Sequence, residues 1–86
     1  MTESDEAKLE LLLAIEGIGR VTAILYSLEH EINVVKANVN IAGLGSNRND
    51  AEFVNSALAR SLIEIGNMIT RMHRIKPSLE DWRNSL

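Results

Sequence analysis

The sequence predicts an all-α fold, in which a long antiparallel helical hairpin with a short C-terminal helical tail dimerises into a four-helix bundle. Hydrophobic residues make up 45% of the 86 residues and aromatic residues only 3%, so any core is aliphatic. Apolar residues recur every seven positions, which is typical of helices that pack along their length. The chain contains no cysteine, so neither a disulfide nor a Cys-based zinc site can stabilise so small a domain. Oligomerisation is the remaining route to stability.

The first helix carries the clearest pattern. Its apolar residues fill two of the seven heptad positions, here called the a column and the d column, over five heptads. The a column consists of Leu11, Ile18, Leu25, Ile32 and Val39. The d column consists of Ala7, Ala14, Val21, Leu28, Val35 and Ala42. No polar residue interrupts either column, so we expect one continuous helix.

The remaining elements follow from turn and capping signals. Gly43 and Gly45 favour a helix end, Asn49 with Glu52 resembles a capping box, and Pro77 disfavours helix at the residue before it. A second apolar stripe, broken only by Ser61, runs through Ala51, Val54, Leu58, Ile65, Met68, Met72 and Ile75 and is widened by Leu62 and Ile69. We predict one domain, 1–86, with helix 1 at about 5–42, a loop at 43–48, helix 2 at about 50–76 and a tail at 78–86.

An isolated two-helix hairpin leaves much of each stripe in water, so we expect a second copy to cover it. The residues predicted to form the dimer seam are Leu11, Ile18, Leu25, Leu28, Ile32, Val35, Leu58 and Ile65.

A second apolar cluster lies at the start of helix 1. Leu9, Leu12 and Leu13 fall outside the two columns, and antiparallel pairing brings Leu9 level with Trp82. Two interpretations are open: a folded-back tail covers these leucines and completes the core, or the four residues form an exposed patch for a protein partner.

Gly17, Ile18, Gly19, Thr22 and Ala23 stand in the order Gly-hydrophobic-Gly followed by a polar and small pair. In this the stretch "LLLAIEGIGRVTAILYSL" resembles the helix-hairpin-helix family. The resemblance implies a turn whose backbone N–H groups hold a DNA phosphate. The nucleic-acid contacts would then be Gly17, Gly19, Arg20 and Thr22. One alternative is that the a column passes through both glycines in a continuous helix, which the unbroken phase of Ile18 favours. A functional kink at the glycines is the third interpretation.

Composition and spacing argue against catalysis. The net charge of −3 disfavours general nucleic-acid affinity, and the two histidines lack the helical spacing of a metal site. We expect no cofactor, no bound metal and no enzymatic activity.

The longest unbroken apolar run is far shorter than a membrane span, so we expect a cytoplasmic protein without a membrane partner. The predicted function is a non-enzymatic, dimeric protein-interaction module such as a regulator, chaperone, assembly subunit or phage-type inhibitor, with DNA binding through Gly17–Arg20 as the alternative.

Overall fold

The computed structural model describes residues 2–46 and 48–86, which form two long helices. Helix α1 spans Glu3–Leu44 and helix α2 spans Arg48–Ser85. The two helices pack side by side and antiparallel in a hairpin 65 Å long. This length matches a straight 42-residue α1 at about 1.5 Å per residue. The predicted all-α helical hairpin is confirmed.

Helix α1 is closed at both ends by local hydrogen bonds. At its start the Asp5 N–H donates to Thr2 Oγ1 over 3.1 Å, and the Thr2 N–H donates back to Asp5 Oδ2 over 3.3 Å. At its end the Gly45 N–H donates to the Ala42 carbonyl over 3.2 Å, and Ser46 Oγ donates to the same carbonyl over 2.7 Å. Because these caps satisfy backbone groups that the helix cannot, α1 extends two residues beyond its predicted limits of 5 and 42 at each end.

The start of α2 differs from the prediction. The helix begins at Arg48, so Asn49 lies inside it and does not cap it. Arg48 Nε and Glu52 Oε1 lie 3.4 Å apart in an exposed ion pair within the first turns. Glu52 therefore supports the helix through Arg48, whereas the prediction paired it with Asn49. Residue 47, which belongs to the predicted loop 43–48, lies outside the described residues, as does residue 1 of the predicted domain.

The predicted break before Pro77 and the separate tail 78–86 are wrong. Pro77 lies inside α2, which continues without interruption to Ser85. Proline removes the backbone N–H that would bind the carbonyl of His73, but Pro77 and His73 both lie on the exposed side of the helix. Beyond the proline the helix keeps its packing position, because Leu79 is half-buried and Ser4 Oγ donates to the Leu86 carbonyl over 3.2 Å. Contacts with α1 therefore outweigh the local preference of the Lys76–Pro77 pair.

The hydrophobic core is thin. Among the described residues only Leu11, Leu25, Ile65 and Ile69 are buried, and no side chain is fully enclosed. Leu25, Ile65 and Ile69 form one cluster at mid-length, with Ile32 and Met72 packed partly against it. A single layer of two helices cannot enclose more, since each helix has only one neighbour.

Candidate functional site

The contact between the two helices uses the a column but not the d column. In α1, Leu11 and Leu25 are buried and Ile18, Ile32 and Val39 are half-buried. In α2, the corresponding a column consists of Ala51, Leu58, Ile65, Met72 and Leu79, all of them buried or half-buried. Six of the eight predicted dimer-seam residues, Leu11, Ile18, Leu25, Ile32, Leu58 and Ile65, thus lie against the other helix of the same chain.

The second half of this contact comes from residues four positions after each a residue, here called the e column. In α1 the e column consists of Ile15, Thr22, Glu29, Lys36 and Gly43, all half-buried. In α2 it includes Asn55, Leu62, Ile69 and Arg83, which are buried or half-buried. In α1 this column was not predicted from the sequence, because three of its members are polar. The members of the e column recur every seven residues in step with the a column, and this spacing could have identified the e column from the sequence.

The d column is left on the surface of both helices. In α1, Leu28 is 46% exposed and Val35 45% exposed, whereas Leu25 of the a column is only 4% exposed. The exposed d residues of α1 are Ala14, Val21, Leu28, Val35 and Ala42. The d column of α2 consists of Val54, Met68, Ile75 and Trp82, which are exposed, and Ser61, which is half-buried. Each helix therefore presents an apolar column that has no partner within the hairpin.

The two d columns lie on one face of the hairpin. In each helix, viewed from its own N-terminus, the d column is displaced from the a and e columns by the same angle and in the same direction. Because the helices are antiparallel and face each other, equal displacement brings both columns to the same side. The same geometry holds on the opposite side of the hairpin. Tyr26 and His73 each follow an a residue, and their ring centroids lie 6.4 Å apart on that side. We call the combined surface of the two d columns the d face.

The predicted partner patch is exposed, but it is not one surface. Leu9, Leu13 and Trp82 are exposed, and Leu12 is half-buried. No folded-back tail covers the leucines, because the tail residues continue α2. Leu9 and Leu13 are each two residues from buried Leu11, about 200° around the helix, and so lie on the side of α1 away from α2. Trp82 belongs to the d face instead.

The helix-hairpin-helix turn is not formed. Gly17, Gly19, Arg20 and Thr22 all lie inside the continuous α1, and no glycine among the described residues has positive φ. The Thr22 hydroxyl donates to the Ile18 carbonyl over 2.7 Å, as serine and threonine do in helix interiors. The backbone N–H groups that would hold a phosphate are bonded within the helix. The physical reason is the half-buried Ile18, whose packing on α2 keeps the helix in phase through both glycines.

Part of helix α1 is strongly apolar. An 18-residue stretch of it has a mean hydropathy of 1.6, which by length and composition is enough to cross a membrane. Only 11% of that stretch is buried inside the hairpin. Core helices of soluble proteins, which are mostly buried, and signal sequences reach the same mean hydropathy.

Shallow, open grooves lie near the loop. One groove lies among Asn40, Leu44, Arg48, Glu52 and Asn55, where Asn55 Nδ2 donates to Asn40 Oδ1. Within residues 2–46 and 48–86, no three His, Asp or Glu side chains are placed to hold a metal ion. The d face runs along both helices, and we take it as the candidate functional site.

The sequence matches no protein-family model, and no curated protein or solved structure is significantly similar to it.

Proposed function

We propose that the protein is a non-enzymatic interaction module that acts in the cytoplasm as a homodimer, with two hairpins joined through their d faces into a four-helix bundle that binds another protein. The observation that carries this proposal is the exposed d column on each helix, in heptad register and on one face. In a four-helix bundle the a and d columns together form the core. The hairpin alone buries the a columns and leaves the d columns in water.

The size of the d face supports a second copy as its occupant. The hairpin is 65 Å long and 15 × 12 Å in cross-section, so a face running along it is large enough for a standard interface of about 800 Å² per partner. The single-layer core supports the same conclusion, because a hairpin with four buried side chains among its described residues gains much from covering a second apolar surface.

A helical partner explains the d face better than a lipid surface does. The d residues recur every seven positions in both helices, which is the spacing of helices that pack on one another along their length. The d face also includes α2, in which Ser61, Glu64 and Arg71 lie on or beside the d column. These polar groups would be costly in hydrocarbon but are usual at the edge of a bundle.

The matched pair Val34 and Val35 tests the proposal. The two residues are adjacent, identical and almost equally exposed, at 42% and 45%, but Val35 lies on the d face and Val34 on the side of α1 away from α2. We expect sedimentation equilibrium at micromolar concentration to show a dimer for the parent protein and for Val34→Asp, and a monomer for Val35→Asp. An aspartate in a closed bundle core would be buried without a partner.

Circular dichroism on each variant verifies that the helices are retained, since neither valine is buried in the hairpin. A parent protein that sediments as a folded monomer would overturn the proposal. Loss of the dimer in both variants would show that the interface is not the d face. Flotation of the parent protein with anionic or neutral phospholipid vesicles would favour membrane binding as the role of α1 instead.

A further inference from the structure

We infer that the two hairpins pair with their loops at opposite ends of the bundle, so that α2 packs on α2 of the second copy across a two-fold axis at Met68. This inference rests on the proposed function and adds the orientation of the second copy. Two orientations place d face on d face: loops at the same end, with α1 opposite α2 of the second copy, or loops at opposite ends, with each helix opposite its own equivalent. Charge, side-chain size and helix register decide between them.

Two residues of opposite charge border the d column of α2. Glu64 and Arg71 each precede an a residue, and so flank the d column on the side away from α1. Such positions meet across the contact between antiparallel helices from different hairpins. In an antiparallel α2–α2 contact centred on Met68, a residue before Met68 lies level with one equally far after Met68 in the second copy. Glu64 is four residues before and Arg71 three residues after, so each Glu64 lies beside an Arg71, and the two-fold axis produces two such ion pairs.

The sizes of the d residues agree with the same axis. Met68 meets its own equivalent, and its flexible side chain suits a self-contact. Seven residues away on either side, the small Ser61 lies level with Ile75. Fourteen residues away, Val54 lies level with Trp82, the largest side chain of the chain. Small residues therefore face large ones, which fills an interface without voids.

The same axis also suits α1. Leu25 packs with Ile65 and Ile69, so the centre of α1 at the level of Met68 lies near Leu25. Val21 lies four residues before Leu25 and Leu28 three residues after it, so each lies level with the other in the second copy. Ala14 then lies level with Val35, and Ala7 with Ala42. One axis thus aligns the d columns of both helices.

The orientation with loops at the same end is electrostatically worse. The close contact of Gly43 with Ala51 sets the level of the two helices, and Glu31, twelve residues before Gly43, lies level with residue 63. With α1 opposite α2 of the second copy, Glu31 would lie beside Glu64. The two negative charges would repel each other. Arg71 would also have no acidic residue of α1 at its level along the bundle.

The distance between the two loops measures the orientation directly. The chain has no cysteine, so Ser46→Cys, at the exposed loop, introduces a single site for a spin label. We expect pulsed dipolar spectroscopy on the labelled dimer to give a separation close to the 65 Å length of the hairpin. A separation of roughly 20 Å, about two helix diameters, would overturn the orientation and leave the proposed dimer intact. A monomer by sedimentation would overturn both.

A charge exchange tests the ion pairs without a label. Glu64→Arg and Arg71→Glu should each weaken the dimer by roughly tenfold, because each replaces two attractive pairs by two repulsive ones. The double variant should restore most of the affinity, and the parent dimer should weaken as salt rises. Glu64 and Arg71 are seven residues apart in one helix and do not pair within it, so restoration can only come from the second copy. A double variant weaker than both single variants would overturn the inference.

Discussion

A Cβ atom on Gly43 would lie 2.6 Å from the Cβ of Ala51, closer than carbon atoms approach without displacement. The two helices therefore meet near the loop at a point where one of them has no side chain. Gly43 also belongs to the e column of α1, so this glycine sets the distance between the helices, and it lies inside α1 instead of ending it as predicted.

Gly43→Ala should destabilise the hairpin. Added methyl groups in a tight contact cost about 1 to 3 kcal/mol, and the better helix propensity of alanine offsets about 1 kcal/mol of this. Thermal denaturation gives the change. Gly45→Ala is the matched control, since nothing lies within 4 Å of its Cβ position. Equal stabilities for the two variants would show that the helices separate freely at this point.

The double variant Gly17→Ala, Gly19→Ala should be more stable than the parent protein. A Cβ at Gly17 would make an ordinary contact with Arg20 Nη2 at 3.6 Å, and one at Gly19 would meet nothing within 4 Å. Each substitution raises helix propensity by about 1 kcal/mol. Denaturation at low protein concentration checks this for the monomer. A less stable variant that also loses retention on DNA at low salt would instead support the phosphate-binding turn.

Trp82→Ala should change the stability of the isolated hairpin little, because Trp82 is 57% exposed. The folded-back tail would have buried this side chain and made the substitution cost about 3 to 5 kcal/mol. In the proposed dimer Trp82 is covered, so the substitution should weaken dimerisation. As the chain has one tryptophan, its fluorescence emission should shift to shorter wavelength as the concentration of the parent protein rises. An emission maximum that is independent of concentration would exclude Trp82 from the interface.

Helix α1 should lose stability in acid through its first turn. Hydrogen bonds from the side chain and backbone of Thr2 hold the pKa of Asp5 below its ordinary value. The unfolded carboxyl titrates near pH 4, so the contribution of Asp5 is complete above that pH and disappears as the pH falls through the lower pKa of the folded state. Thermal denaturation of the parent protein and of Asp5→Asn should differ near neutral pH and converge in strong acid. A difference that persists at the lowest pH would mean that the carboxylate charge is not its source.

The sequence predicted the elements of this fold better than the faces they use. Uninterrupted apolar columns predicted α1 and its a column, because both depend on local spacing alone. Whether the d or the e column completes the intramolecular contact depends on the angle at which the second helix approaches. The spacing of residues within one helix does not determine that angle. Thr22, Glu29 and Lys36 were therefore not predicted to lie against the second helix, although each is half-buried.

Pro77 shows a second limit of sequence analysis. The preference of the residue before a proline is a local effect, whereas Leu79 and Leu86 are held by α1, which lies far away along the chain. Only the structure shows that these contacts continue past the proline. Among the d-face residues, Leu28 and Val35 were predicted as seam residues from the sequence, whereas Met68, Ile75 and Trp82 were not.

The contacts between the helices differ widely in the length of chain they close. Asn40 and Asn55 are 15 residues apart, whereas Ser4 and Leu86 are 82 apart. The entropy lost in closing a loop grows with its length, so the turn near Gly45 is the least costly place for the first contact. Each later pair then closes only a short additional segment beyond those already formed. The hairpin can therefore fold by zippering from the loop, and its amide protons should become protected from solvent exchange in that order, with the pair of chain ends last.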